Sequence, residues 1–463
     1  MIENNRYFNK FSLTNIDVSY VNALRRICLA NISTYVIKDD DIDITTNTTR
    51  FNNEIIKQRI LCIPVHILDN TDEIDGSEYL KGSQGDYKAI HPSTLDQSVD
   101  TIILKINESN KSQTTKYVTT QDIGLYKSID DETEIQYNYS NGGKDQKVTL
   151  SSIVFPPDPI TKNHIVIARL KPPVDTTLPG ESLTLTAKFS LGTAKEHGGF
   201  NVVSTCAYEN NVDEEKSNAQ WEIKKKQLEL SGVADSQLDL EEENWKLLDG
   251  RRQQYRDNKS NVFNLCIPDA YQFKIETVGV FSNIVILHKA CLIMQNKCER
   301  FRTSIETNNS SHVKIAHNQN TTQPYEYTAT LHDEDYTIGN PLVHYIYSKL
   351  YGKIFPIEIK TTDYETNDND NDNDNDDNSP VKTYNYNMVP TFIGFKVPHP
   401  HIPDGIIRII YEMSEDAEPI NDNHKDILIR KLKDNTSTIL KAGAMKISSD
   451  FKELNLQFNP RSK

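Results

Sequence analysis

An α+β fold is predicted for this 463-residue chain, in two related parts with a β-rich insertion in the first. Three observations predict it. The order strand, turn, helix, strand occurs around "IDVSYVNALRRICLANISTYVI" (residues 16–37) and returns around "YEYTATLHDEDYTIGNPLVHYIYSKL" (325–350). Between them, short alternating runs such as "VDTIILKIN", "HIVIARLK" and "ESLTLTAKF" are split by the turn residues of "NGGKD" and "LPGES", which marks an antiparallel β-rich domain over 67–265. After it, Ile284, Leu287, Cys291, Met294, Cys298 and Phe301 step 3-4-3-4-3, an a/d stripe that faces another helix. That spacing fits both an internal core helix and a subunit seam.

The first part opens with "RYFNKFSLTNI", where Tyr7, Phe11 and Leu13 alternate with polar positions as in a strand. Asp17 or Ser19 supplies an N-cap oxygen, and Val21, Leu24, Ile27 and Cys28 follow at helical spacing. "STYVI" and "DIDITTNTTRF" are rich in β-branched residues and read as strands, and "NNEIIKQRILCIPV" is a short helix stopped by Pro64. The charged end of the insertion, within 207–265, reads as solvated helices and loops. "AYQFKIETVG" is a strand that leads into the striped helix.

Residues 306–323 are polar and are expected to be a linker. In the second part, Ile338, Leu342, Tyr345, Ile346 and Leu350 share one side of a helix, with Thr337 as N-cap and Pro341 near the first turn. "TNDNDNDNDNDDNSP" (366–380) has no apolar anchor and is expected to be disordered, within a loop over 362–381. A calcium loop of the helix–loop–helix kind needs a turn glycine and a terminal glutamate, and both are missing. "VPTFIGFKVPHPHIPDGIIRIIYEM" makes two strands around a Pro-rich turn. A helix follows, carrying Ile427, Leu428, Leu432, Ile439 and Leu440.

Composition narrows the function. At this length about two to four domains are expected. A net charge of −15 argues against a chain that coats nucleic acid, which needs a Lys/Arg excess to displace counterions. The six cysteines lack CxxC spacing and are expected to be reduced, buried thiols in a cytosol-like compartment. The start lacks a signal-peptide apolar region, and no apolar run approaches bilayer length, so a soluble intracellular protein is expected.

Catalytic motifs do not emerge. There is no GxGxxG, P-loop, HExxH or nucleophile elbow. The His-Pro-His at 399–401 is expected to be a turn whose prolines hold it extended and separate the rings, so no metal site is expected. "GTAKEHGGF" (192–200) groups Lys195, Glu196 and His197. It reads as a tight loop presenting charge to a partner, or as an acid–base site.

With these pieces in order, the chain resembles the assembly subunits of multisubunit RNA polymerases: the alpha subunit of bacteria, its archaeal counterpart and the third-largest subunit of eukaryotic RNA polymerase II. Their N-x-D-x-x-x-x-N-[AS]-L-R-R signature falls on Asn15, Asp17, Asn22, Ala23, Leu24, Arg25 and Arg26. "NTTRFNNEIIKQRILCIP" is similar to a second motif at Asn47, Glu54, Arg59, Ile60 and Pro64, with Leu61 in place of its glycine. "GTAKEHGGFNVVSTCAYE" is similar to a third at Gly192, Lys195, Glu196, His197, Phe200, Val203 and Tyr208, and departs from it at Ala194, Gly198 and Asn201. The second half resembles the small partner of that assembly subunit, in archaea or as the eleventh subunit of RNA polymerase II. "DEDYTIGNPL" matches at Glu334, Asp335, Thr337, Gly339, Asn340 and Leu342, with Tyr336 replacing a histidine. "FIGFKVPHP" matches at Phe392, Gly394, Lys396, Val397, Pro398, His399 and Pro400.

The resemblance implies two alpha-subunit-like dimerisation folds paired within one chain: 1–66 plus 266–305, and 324–458. It implies a non-catalytic platform that holds the two large catalytic subunits of a DNA-directed RNA polymerase. A linker of 306–323 spans roughly 25 Å, which makes pairing intramolecular. The expected seam comprises Val21, Leu24, Ile27, Cys28, Leu287, Cys291, Met294, Cys298, Ile338, Leu342, Ile346, Leu428 and Leu432. Expected contacts to the large subunits are Asn22, Arg25, Arg26, Glu54, Arg59, Lys195, Glu196 and His197, the guanidinium forks suiting carboxylates. Small zinc-binding polymerase subunits are further expected partners. No cofactor, metal, membrane, homodimer or direct sequence-specific nucleic-acid contact is expected. The zinc or iron–sulfur ligand sets of some relatives are missing. Fused subunits of this kind are known in large nucleocytoplasmic DNA viruses, and the Asn/Ile/Lys/Asp-rich composition fits such a source, with action in a viral factory or virion and otherwise in the nucleus. A regulatory scaffold that binds polymerase subunits without being a core component is the alternative.

Overall fold

The computed structural model describes residues 8–66, 102–141, 144–174, 179–252, 254–256, 261–318, 322–362, 381–399, 401–414 and 420–458. They fall in two compact units. One draws on Met1–Val21, Arg25–Ala290 and Phe458–Lys463, the other on Asn22–Leu24 and Cys291–Gln457. The expected disorder of 366–380 lies outside the described residues, as does Tyr7.

The first unit starts with β1 (Phe8–Thr14) and α1 (Val18–Ala30). Of the two candidate caps, Asp17 holds the position and accepts the Ser19 N–H at 2.8 Å. β2 (Ser33–Val36), β3 (Ile42–Asn47) and α2 (Asn53–Leu61) follow. Asn52 caps α2, which ends before Pro64 is reached. Leu61 is buried with Val36 and Phe200, so an apolar side chain fills the place of the motif glycine.

The β-rich region contributes β4 (Ile103–Ser109), β5 (Lys116–Thr119), β6 (Gly124–Tyr126), β7 (Gln136–Asn141), β8 (Lys144–Thr149), the single turn α3 (Leu150–Val154), β9 (Val166–Leu170), β10 (Ser182–Lys188) and β11 (Ser190–Thr193). The four-stranded sheet β3-β10-β4-β6 is antiparallel, and Leu104, Ile106, Leu183 and Leu185 of its strands share one core with Ile56 and Ile60 of α2. The expected boundaries at 67 and 265 therefore do not coincide with the sheets. β3 precedes the insertion yet joins its sheet, and β11 pairs back with β2. β12 (Val203–Val212), inside the expected insertion, pairs with β15 (Cys266–Thr277) in the sheet β1-β15-β12. Strands join whichever ladder satisfies their backbone groups, whatever the order along the chain.

The charged stretch between them holds two helices, α4 (Glu214–Leu230) and α5 (Asp235–Leu247), and a short hairpin of β13 (Tyr255–Arg256) with β14 (Val262–Phe263). It is more than solvated surface. Trp221, Trp245 and Leu265 form a small core flanked by Tyr255 and Phe263. The Trp245 indole N–H donates to Ser217 Oγ at 3.2 Å.

α6 (Asn283–Glu306) is the striped helix. Leu287, Cys291, Met294, Cys298 and Phe301 are buried, but Ile284 is 44% exposed, so the stripe begins at Leu287. The buried set also includes Val285, Ile286, Ala290 and Ile293, which makes a face wider than an a/d seam.

In the second unit the expected linker carries β16 (Val313–His317), which pairs with β17 (Glu326–His332). α7 (Tyr336–Leu350), β18 (Phe355–Thr362), β19 (Val381–Lys396), β20 (Asp404–Met413) and the 34-residue α8 (Lys425–Phe458) complete the unit. The sheet order is β16-β17-β20-β19-β18, antiparallel throughout. The cap of α7 is Asp335, which accepts the Thr337 N–H at 2.8 Å; Thr337 lies within the helix. Pro341 is the sixth residue of α7, beyond the first turn. His399 and His401 sit in a turn, but their rings are only 5.3 Å apart because the His401 N–H donates to His399 Nδ1, which folds the segment back.

Candidate protein-docking sites

All thirteen residues expected at a seam are buried: Val21, Leu24, Ile27 and Cys28 on α1, Leu287, Cys291, Met294 and Cys298 on α6, Ile338, Leu342 and Ile346 on α7, and Leu428 and Leu432 on α8. Within the second unit, Gly443 of α8 shows how closely two helices approach. A Cβ there would lie 3.0 Å from the Tyr345 ring and 3.2 Å from Leu342, so the glycine lets α8 rest on α7 without moving those side chains. Burial drives the Cys291 and Cys298 thiols far above their ordinary pKa, which makes them packing groups and not nucleophiles. Cys62 departs from the expectation of six buried cysteines. It is exposed, and none of the six is in a disulfide.

The two motifs of the second half lock together. Phe395 of β19 fills the space left by Gly339 on α7 and Gly405 on β20; a Cβ on either would collide with its ring. Tyr336 meets the same ring edge-on at 5.2 Å. Glu334 pairs with Lys297 of α6 at 2.7 Å, with side chains 14% and 19% exposed. Sequence reading missed Lys297, a residue 37 positions away that no periodicity singles out.

The polar set divides. Asn22, Arg25 and Arg26 are half-buried, Glu54 and Lys195 exposed. Arg59 is also exposed, but its guanidinium is held: Nε and Nη2 donate to the carbonyls of Ile167 and Val166 at 2.7 and 2.6 Å, and it lies over Phe51. It ties α2 to β9. The loop 193–200 is built locally. Lys38 donates to Glu196 Oε2 at 2.9 Å, and that hydrogen bond holds the Glu196 carboxyl below its ordinary pKa. His197 Nδ1 accepts the Gly199 N–H at 3.0 Å, and its ring leans on Phe200. Gly192 faces Val36 and Phe200 so closely that a Cβ would fall 2.8 Å from the valine methyl. Glu196 and His197 thus turn to different partners. The arrangement is a charged loop clamped on β2 and α2.

Among the described residues no group of three His, Cys, Asp or Glu could hold a metal ion, and no helix is long and apolar enough to cross a membrane. Comparison with known proteins places the chain in context. The RNA polymerase Rpb3/Rpb11 dimerisation domain matches residues 10–298. The chain is similar to DNA-directed RNA polymerases I and III subunit RPAC1 of Homo sapiens, 23% identical over 321 residues, covering 64% of this chain and 81% of the relative. The Bos taurus protein of the same description is 24% identical over 323 residues, with the same shares covered.

Proposed function

Because the chain belongs to the RNA polymerase Rpb3/Rpb11 dimerisation domain family, we propose that it is a non-catalytic assembly subunit of a DNA-directed RNA polymerase whose two halves pair within one chain. The observation that carries this reading is at Leu24. Asn22–Leu24 of α1 group with Cys291–Gln457, the segment that holds Leu342, and both leucines are fully buried. The exposed Glu54 and Lys195 and the half-buried Arg25 and Arg26 offer charge to larger neighbours. Those neighbours are the largest and second-largest polymerase subunits, with small zinc-binding subunits beside them. Arg59, exposed on α2 and held by the carbonyls of Val166 and Ile167, adds its charge to them. A viral source, and with it action in a viral factory or virion, rests on the fusion of two subunit-like halves and on composition.

Co-expression with the second-largest subunit tests the proposal. The chain is expected to co-elute with it at one to one, to be monomeric alone and to transfer no nucleotide alone. Leu24→Asp buries an unpaired charge, costs about 3–5 kcal/mol and should abolish co-elution. Normal assembly of that variant, or a stable homodimer of the native chain, would overturn intramolecular pairing. Lys195→Ala should weaken co-elution while leaving the melting temperature unchanged.

A further inference from the structure

We infer that the outward face of α5 is a docking surface for a basic amphipathic helix of a partner protein. α5 already buries one stripe, Leu238 and Trp245, the latter in the small aromatic core. It carries a second on the opposite side. Leu240 and Leu247 are seven residues apart, which returns them to one face, and they are 60% and 62% exposed. The adjoining α4 repeats the arrangement with Ile223 and Leu230, 50% and 89% exposed. Single exposed leucines need no explanation, but heptad-spaced pairs on both helices of one hairpin do. A solvated face this rich in charge would serve the helix equally well with Glu or Lys at those positions.

Charge identifies the occupant. α5 contains Asp235, Asp239, Glu241, Glu242 and Glu243 against the single Lys246. Glu241 is held by Lys224 at 3.0 Å and Glu242 by Lys246. Asp239 and Glu243 are exposed one turn apart, alongside Leu240 and Leu247. With Leu240 and Leu247 at d positions of a heptad, Glu243 takes the flanking g position and Asp239 lies one turn before it on the same side, so the partner helix carries leucines at heptad spacing flanked by Lys or Arg. α4 flanks its stripe with Glu222, Lys226 and Glu229, both signs, and does not select a charge.

The test uses the full chain and two labelled synthetic helical peptides with identical heptad leucines, one flanked by lysine and one by glutamate. The basic peptide should bind and its acidic twin should not. The double change Leu240→Gln with Leu247→Gln should weaken binding about tenfold or more. Asp239→Lys with Glu243→Lys should transfer preference to the acidic peptide. Equal binding of both peptides, or binding unmoved by the leucine changes (a purely ionic association), overturns the inference. A photo-crosslinker at Asn244, with both leucines intact, keeps the test valid should a variant unfold. An adduct with the basic peptide is expected, and its absence overturns the inference.

Discussion

Gly339 is a position where one added methyl has a measurable cost. Its hydrogen leaves room for the Phe395 ring, which is also pressed by Gly405. Gly339→Ala should lower stability by about 1–3 kcal/mol, the cost of overpacking, seen as a lower urea midpoint at unchanged slope. An unchanged midpoint would mean that the ring yields freely. The Lys297–Glu334 pair makes a second test. Lys297→Met strands a mostly buried carboxylate, whereas Glu334→Gln keeps an acceptor for the ammonium. The lysine change should cost about 1–3 kcal/mol and exceed the glutamate change. At the cysteines, alkylation of the native chain should attach one label rapidly, at Cys62, because the other five thiols are buried. Intact mass reads the count, and a second fast adduct would show that the packing opens.

At the scale of elements, what was legible followed local rules. The α1 and α7 stripes show helical period, and the glycines and charges of 192–200 announce a tight loop. What was not legible depends on partners distant in the chain. β16 has only Val313, Ile315 and Ala316 to suggest a strand, and it is one because β17 supplies its ladder. Arg59 looks like surface charge until the carbonyls of β9, more than a hundred positions on, are brought to it. Asp335 and Thr337 are both good capping residues, and only the backbone angles decide between them. Trp221 and Trp245 sit on different helices with nothing local to pair them, yet their rings lie 5.9 Å apart and anchor the hairpin. Trp245→Ala should cost about 3–5 kcal/mol locally. In hydrogen exchange the amides of α4 and α5 should lose protection while the β12–β15 ladder keeps it. Loss across the whole first unit would show that the small core is not a separate one.

At the scale of the whole molecule, the proposed intramolecular pairing has a simple thermodynamic mark. Dimers of separate chains gain stability with concentration by mass action, whereas a tethered pair does not. The urea midpoint of the native chain should therefore stay fixed over a hundredfold dilution, about the range that would reveal a dimer. A drifting midpoint would mean that the halves find partners in other copies. β16 adds a consequence for anyone trimming the protein. It is no slack tether but the outermost rung of a five-stranded ladder. A fragment begun at Gln323 would strip that rung away and leave the unpaired backbone of β17, with Tyr327, Ala329 and Leu331, as a template for sticking molecule to molecule. The stretch between α6 and β17 thus also acts as a guard against aggregation.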